Sequence, residues 1–172
     1  MFWNGEAAAF PRGGNDRLQR QRPSPDPAFL KVYGFSRLIG HAEGLEPGLQ
    51  FTLEAAALVH DIGIRPAEEK YGSCEGPLQE KEGILPAREM LSRLGFDPAV
   101  TGRVCRLVGQ HHTYHPMDGA DHQILVEADF LVNLFENASP DAAVSSALQK
   151  IFRTETGKQI CRVMFGTGSG VC

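Results

Sequence analysis

No segment of this chain shows the apolar–polar alternation of a half-buried strand, and from residue 28 onward its apolar residues recur at helical spacing. Phe29, Leu30, Val32, Tyr33, Phe35, Leu38 and Ile39 make one amphipathic run that ends near Gly44. Leu53, Ala56, Ala57, Leu58 and Val59 make a second that stops at Gly63. Residues 77–94 place Ile84, Leu85, Ala87, Met90, Leu91 and Leu94 on one stripe, closed by Gly95. Asp97-Pro98 opens the next helix, with Asp at the N-cap and Pro in the first turn. Residues 121–136 are strongly apolar, and 139–152 and 154–164 read as two more helices, the first begun by Ser139-Pro140. The expected fold class is all-α.

The chain has 172 residues, a length that suits one domain with a tail. Hydrophobic residues make up 42% and charged residues 22%, which excludes a wholly disordered chain. No apolar run reaches the ~18 residues of a membrane-spanning helix. With 17 basic and 21 acidic residues the formal net charge is −4, so neither a nucleic-acid nor a lipid partner is predicted. Residues 1–27 stand apart: four arginines, Gly13-Gly14 and prolines at 11, 23, 25 and 27 predict a mobile tail ahead of a helical domain over 28–165. Residues 166–172 read as a flexible C-terminal tail. The four cysteines, Cys74, Cys105, Cys161 and Cys172, have no CxxC spacing, and the N-terminus lacks a signal-peptide pattern. A reducing, cytoplasmic setting with free thiols is expected.

Candidate chemistry lies in polar residues that their apolar surroundings do not explain. His60-Asp61 ends the segment AALVHDIG, where four apolar residues run straight into an imidazole and a carboxylate. Buried charge is costly unless it is paired or metal-bound. Asp129 lies in ILVEADFLVNLF, with Leu125, Val126, Val132 and Asn133 on its face of the helix. Glu127 stands at a different angle and fits a surface-facing acid. His111-His112 ends the helix TGRVCRLVGQHH, and adjacent histidines can supply two ligands or a ligand and an acid–base group. Each residue alone has a plainer reading as a surface or capping group. Together they bring imidazole nitrogen and carboxylate oxygen from three helices, a donor set suited to iron, manganese, zinc or similar ions.

The segment AALVHDIG, the later GQHH and the later VEADFLVNLFE, in that order and all on helices, resemble the HD-domain metal-dependent phosphohydrolases, in particular their small stand-alone bacterial members. The resemblance covers residues 28 to about 165. It implies a bundle of five or more helices around one or two divalent metal ions. It implies hydrolysis of a phosphomonoester or phosphodiester through metal-activated water, with a small phosphorylated molecule such as a nucleotide as substrate. Carried over by position, His60 and Asp61 would be the central ligands, Asp61 able to bridge two ions, and Asp129 the closing ligand. His111 and His112 match the histidine pair of the two-metal branch. Where that branch has a further histidine, this chain has Glu82. Arg65, just past the HD turn, would bind phosphate, its fork matching phosphoryl oxygens.

One position departs from the family pattern. Its first ligand is a histidine about 32 residues before the HD histidine, and that position here is Ala28. His41 follows thirteen residues later, ~20 Å along a helix, and on another face. Either one ligand has been lost, or the sequence upstream of residue 29 is not the original one. The resemblance therefore leaves two further readings: a degenerate domain that binds a nucleotide or partner without turnover, and a di-iron oxygenase on the same fold.

Overall fold

The computed structural model describes residues 28–166, and among them are eight helices and no strand: α1 (Ala28–Ala42), α2 (Pro47–Val59), α3 (Ile64–Tyr71), α4 (Gly76–Arg93), α5 (Pro98–Val108), α6 (Ala120–Glu136), α7 (Asp141–Lys150) and α8 (Glu155–Phe165). The predicted tail over 1–27, and all but Gly166 of that over 166–172, lie outside the described residues.

The apolar helix α6 is the axis of the bundle. It packs against α1, α2, α7 and α8, while α5 bridges α2 to α4. Ile124, Leu125, Val126, Ala128, Leu131 and Val132 are buried along it. A helix apolar on most of its circumference needs neighbours on most sides, and α6 has them. Val32 and Ile39 from α1, Leu53, Ala56 and Ala57 from α2, and Val104, Leu107 and Val108 from α5 complete the core.

Local chemistry sets several helix boundaries. Pro47 occupies the first turn of α2 and the Glu46 carboxylate accepts from the Gly48 and Leu49 amides. Asp97 caps α5 by accepting from the Ala99 amide at 2.7 Å. Thr154 caps α8 by accepting from the Gly157 amide at 2.9 Å. α3 escaped the sequence reading because it buries only Ala67 and so shows no apolar stripe. Its end was marked all the same, by Gly72 in the left-handed region (φ +68°), whose amide closes on Glu68 O. α5 stops at Val108, short of the histidine pair, which occupies the turn that follows rather than the helix end.

Glu127 corrects the sequence expectation. It is fully buried, not surface-facing. Its carboxylate accepts from the Arg153 amide at 2.6 Å, the Thr154 amide at 2.9 Å and Gln123 Nε2 at 2.8 Å, and also from the Thr154 hydroxyl. The charge therefore sits against the N-terminal end of α8, where the free amides and the helix dipole favour an anion. A Cβ on Gly157 would lie 2.1 Å from Glu127 Oε2, so the cap is closed tightly around the acid. Glu127→Ala should lower unfolding stability by about 2–4 kcal/mol, because two backbone amides and a hydroxyl lose a buried acceptor. Urea unfolding checks this, and a loss below about 0.5 kcal/mol would show that the α8 cap does not depend on the acid.

Candidate metal centre

The centre forms where two turns and the axis helix meet. α2 ends with His60 as its C-cap, and the chain turns through Asp61 to Gly63. That turn lies directly on α4: a Cβ on Gly63 would stand 2.1 Å from the Gln79 carbonyl oxygen and 2.8 Å from the Gly83 amide nitrogen. Only a residue without a side chain permits this approach. The second turn, Gly109–His112, follows α5. Asp129 comes from the middle of α6.

Two imidazoles are prepared in the same way. His60 Nδ1 lies 2.8 Å from Ala57 O, and His111 Nδ1 lies 2.8 Å from Val108 O, each three residues back in the chain. A carbonyl only accepts, so both Nδ1 atoms carry hydrogen and both rings present Nε2. Both rings are fully buried, and neither Nε2 atom has a hydrogen-bond partner among the described residues. Such atoms are rarely left so, and they are the strongest sign of a bound group.

Both Nε2 atoms face one carboxylate. Asp61 Oδ2 is 3.2 Å from His60 Nε2, and Asp61 Oδ1 is 3.6 Å from His111 Nε2. The contact with His60 is short without making a hydrogen bond. Asp129 Oδ1 stands 3.6 Å from His60 Nε2 and accepts from Asn133 Nδ2 at 2.9 Å, one helical turn away. The His112 ring is 4.0 Å from that of His111, and Asp61, His111 and His112 each offer an atom within 4.8 Å of the others. Neighbouring ligands of one cation with bonds of ~2.1 Å lie about 3.0–3.4 Å apart, close to these spacings. The residues thus fall into two groups that share Asp61: His60, Asp61 and Asp129, and Asp61, His111 and His112. Nitrogen and oxygen donors of this kind fit a divalent transition ion.

Electrostatics agree with that fit. Burial pushes the His60 imidazole down, but the Asp129 and Asp61 carboxylates outweigh it and raise it to about 10. Burial likewise works against ionised Asp61, yet His111 and His60 hold it well below the usual carboxylate range. Half-buried Asp61 and buried Asp129, set close together, attract a cation, and His60 is the group that meets the demand from within the chain. Burial, then the neighbouring His111, lowers His112 to about 4, which leaves its ring neutral and able to act as a ligand.

The histidine turn is fastened on both sides. Glu80 of α4 accepts from the His112 amide at 2.9 Å and from the Thr113 hydroxyl at 3.0 Å. On the other side Arg103 of α5 makes a bidentate pair with buried Asp121, at 2.9 and 2.7 Å, and also binds Asp118 at 2.6 Å. Buried His122 accepts from the Asp118 amide at 3.0 Å and donates through Nε2 to Gln110 O at 2.9 Å. These bonds tie the segment after α5 to the start of α6.

Other predicted residues lie elsewhere. Glu82 is turned to Lys70 Nζ (2.9 Å) and the Tyr71 hydroxyl (2.8 Å), which hold its carboxyl below the ordinary value. It is not among the side chains gathered at Asp61; the α4 side chain that reaches the cluster is Gln79, whose Oε1 is 3.2 Å from His112 Nε2. Arg65 is solvent-exposed on α3 and pairs with Glu69 at 2.8 Å. His41 is exposed in the last turn of α1, 3.8 Å from Glu54. Ala28 is the first residue of α1 and packs against the core. Tyr114 stacks edge-on against Phe130 at 5.2 Å, and burial, with Asp129 and Glu80, raises its phenol to about 12. Gln79, Glu80 and Arg103 were missed by sequence reasoning. Gly76 and Gly83 could have marked the α4 face where Gln79 lies, since both mark close approaches.

Among models of known protein families, one described as the HD domain matches residues 29–148. No curated protein and no solved structure matches the chain.

The raised His60 value carries a sign. In metal-stripped protein its pairing with the carboxylates stabilises the fold fully below about 6.5, and this contribution is lost as pH climbs toward 10. A cation binding at Nε2 must displace that proton. Metal uptake at pH 7.5 should therefore release about one proton per chain, and affinity should rise between pH 6 and 9. Titration calorimetry in buffers of different ionisation enthalpy checks this; uptake without proton release would remove His60 from the ligand set.

Proposed function

The chain belongs to the HD-domain family, and we propose that it is a metal-dependent hydrolase of phosphate esters, acting on a phosphomonoester or phosphodiester of a small molecule such as a nucleotide. The observation that carries the reading is the convergence of two buried, hydrogen-bond-orphaned Nε2 atoms on the two oxygens of Asp61. A purely structural role leaves those atoms without a reason.

In this reading His60, Asp61 and Asp129 hold one cation, and Asp61, His111 and His112 hold a second. The chemistry supplied by such ions is Lewis acidity, which makes water acidic and offsets charge on phosphoryl oxygens. The residues of the chain do the rest. Asn133 keeps the Asp129 carboxylate turned toward His60. Buried His111 and part-buried His112 are the imidazoles placed beside Asp61 to exchange a proton there. The Tyr114 hydroxyl stays protonated and is a donor. Arg65 is a long exposed cation four residues past Asp61, paired among the described residues with the i,i+4 partner Glu69, which a phosphate dianion can replace. Neither a polymeric nucleic acid nor a membrane is part of the reading; no helix among the described residues is long and apolar enough to cross a bilayer.

Ala28 supports a second reading. If a ligand is missing at the start of α1, the His60–Asp61–Asp129 ion is held by three protein groups. The domain would then bind a phosphorylated ligand without turning it over.

Elemental analysis of protein purified without an affinity metal column should find one or two equivalents of a divalent ion. The loaded protein should release phosphate from an aryl phosphate, an aryl phosphodiester or a nucleotide. Asp61→Asn should reduce that rate by about 100-fold or more, because one side chain serves both ions. Thermal stabilisation by nucleotides without any phosphate release would favour the binder. A protein that stays metal-free after reconstitution would sink the hydrolase reading and favour the binder. Ala28→His should raise metal content; no change would show that residue 28 does not face the site.

A further inference from the structure

We infer that Gln79 fixes His112 as the Nε2–H tautomer, whereas His60 and His111 hold their Nδ1 hydrogens on carbonyls, so that His112 presents Nδ1 to the Asp61–His111 group. His60 and His111 give their Nδ1 hydrogens to carbonyl oxygens of Ala57 and Val108. His112 has a different environment. Its Nε2 is 3.2 Å from Gln79 Oε1. The Gln79 amide is itself oriented, because its Nε2 donates to Cys74 O at 2.5 Å. Reversing that amide would set two oxygens against each other at the same distance, so Oε1 is the end that faces the imidazole. An amide oxygen only accepts, and His112 Nε2 must therefore carry the hydrogen.

Ring packing points the same way. A Cβ on Gly76 would lie 2.9 Å from His112 Cβ and Cγ and 3.1 Å from Cδ2. The Cδ2–Nε2 edge of the ring is thus pressed on the first turns of α4, and the opposite edge carries Nδ1. Glu80 adds the third contact by accepting from the His112 amide at 2.9 Å, which holds the backbone against the same helix. Gly76, Gln79 and Glu80 form one α4 face whose shape and hydrogen bonds select a single orientation and a single tautomer. Gln79 is a positioning residue: it acts through His112, as partners of metal-binding histidines do.

The metal role of Nδ1 rests on the function proposed above, but the tautomer does not, and the two can be tested apart. Full-length protein labelled with nitrogen-15 histidine and stripped of metal is examined at pH 7.5 by two-bond nitrogen–carbon-proton correlation spectra, with the His112 signal assigned by its loss in His112→Ala. His112 is expected to show the Nε2–H pattern. Gln79→Leu should turn it into a mixture and weaken binding of zinc or manganese by about 10-fold. An Nδ1–H pattern for His112 in the unaltered protein overturns the inference, whatever the activity. So does a pattern that Gln79→Leu leaves unchanged. Should Gln79→Leu fail to fold, the reading on the unaltered chain still decides. If the tautomer is as stated and zinc does not bind, the proposed metal function fails and the positioning role of Gln79 stands.

Discussion

Asp61 is the constraint on which the centre depends. One carboxylate lies between two buried imidazoles, one oxygen toward each, and its charge is what those rings answer. Asp61 is half-buried, and withdrawing an anion from water even in part is unfavourable unless charge or donors surround it. The chain surrounds this one with nitrogen atoms that are aimed by their own backbone: Nδ1 of each ring is bound three residues upstream, so Nε2 has one direction to point. Preparation of this kind costs little at the moment of binding, because the rings are already set.

Around that corner the backbone is pressed close. Gly63 and Gly83 let the HD turn rest on α4 without side chains between them. α4 thereby serves three purposes with one face: it seats the HD turn, clamps the ring of His112 and accepts from its amide. On the far side the Arg103 network binds the segment after α5 to the start of α6. The histidine turn is irregular backbone, and irregular backbone holds a ligand geometry only when hydrogen bonds over-determine it.

α6 carries two acids two residues apart that do unrelated work. Asp129 faces His60, while Glu127 turns to the opposite side and receives the amides at the start of α8. Residues two apart on a helix differ by about 200°, so Glu127 points away from the side that Asp129 faces. One faces the His60 imidazole and the other the amides of a helix terminus, so each acid on this apolar helix meets a polar partner.

The all-α class was legible in the sequence, because helical spacing survives in any chain that buries one stripe per helix. Seven of the eight described helices could be placed that way, with caps such as Asp97 marking a start. His60, Asp61 and Asp129 were visible as polar residues in apolar company, a contrast that is local in sequence. α3 was not, since it buries almost nothing. Tertiary structure alone decided the rest. Whether Glu127 faced water depended on where α8 begins, 28 residues later. Whether Glu82 or Gln79 met the histidine turn depended on the rotation of α4, which is set by glycine contacts with other elements. Periodicity reports that a face is buried, but the identity of what lies across it is a distance between segments far apart in the chain.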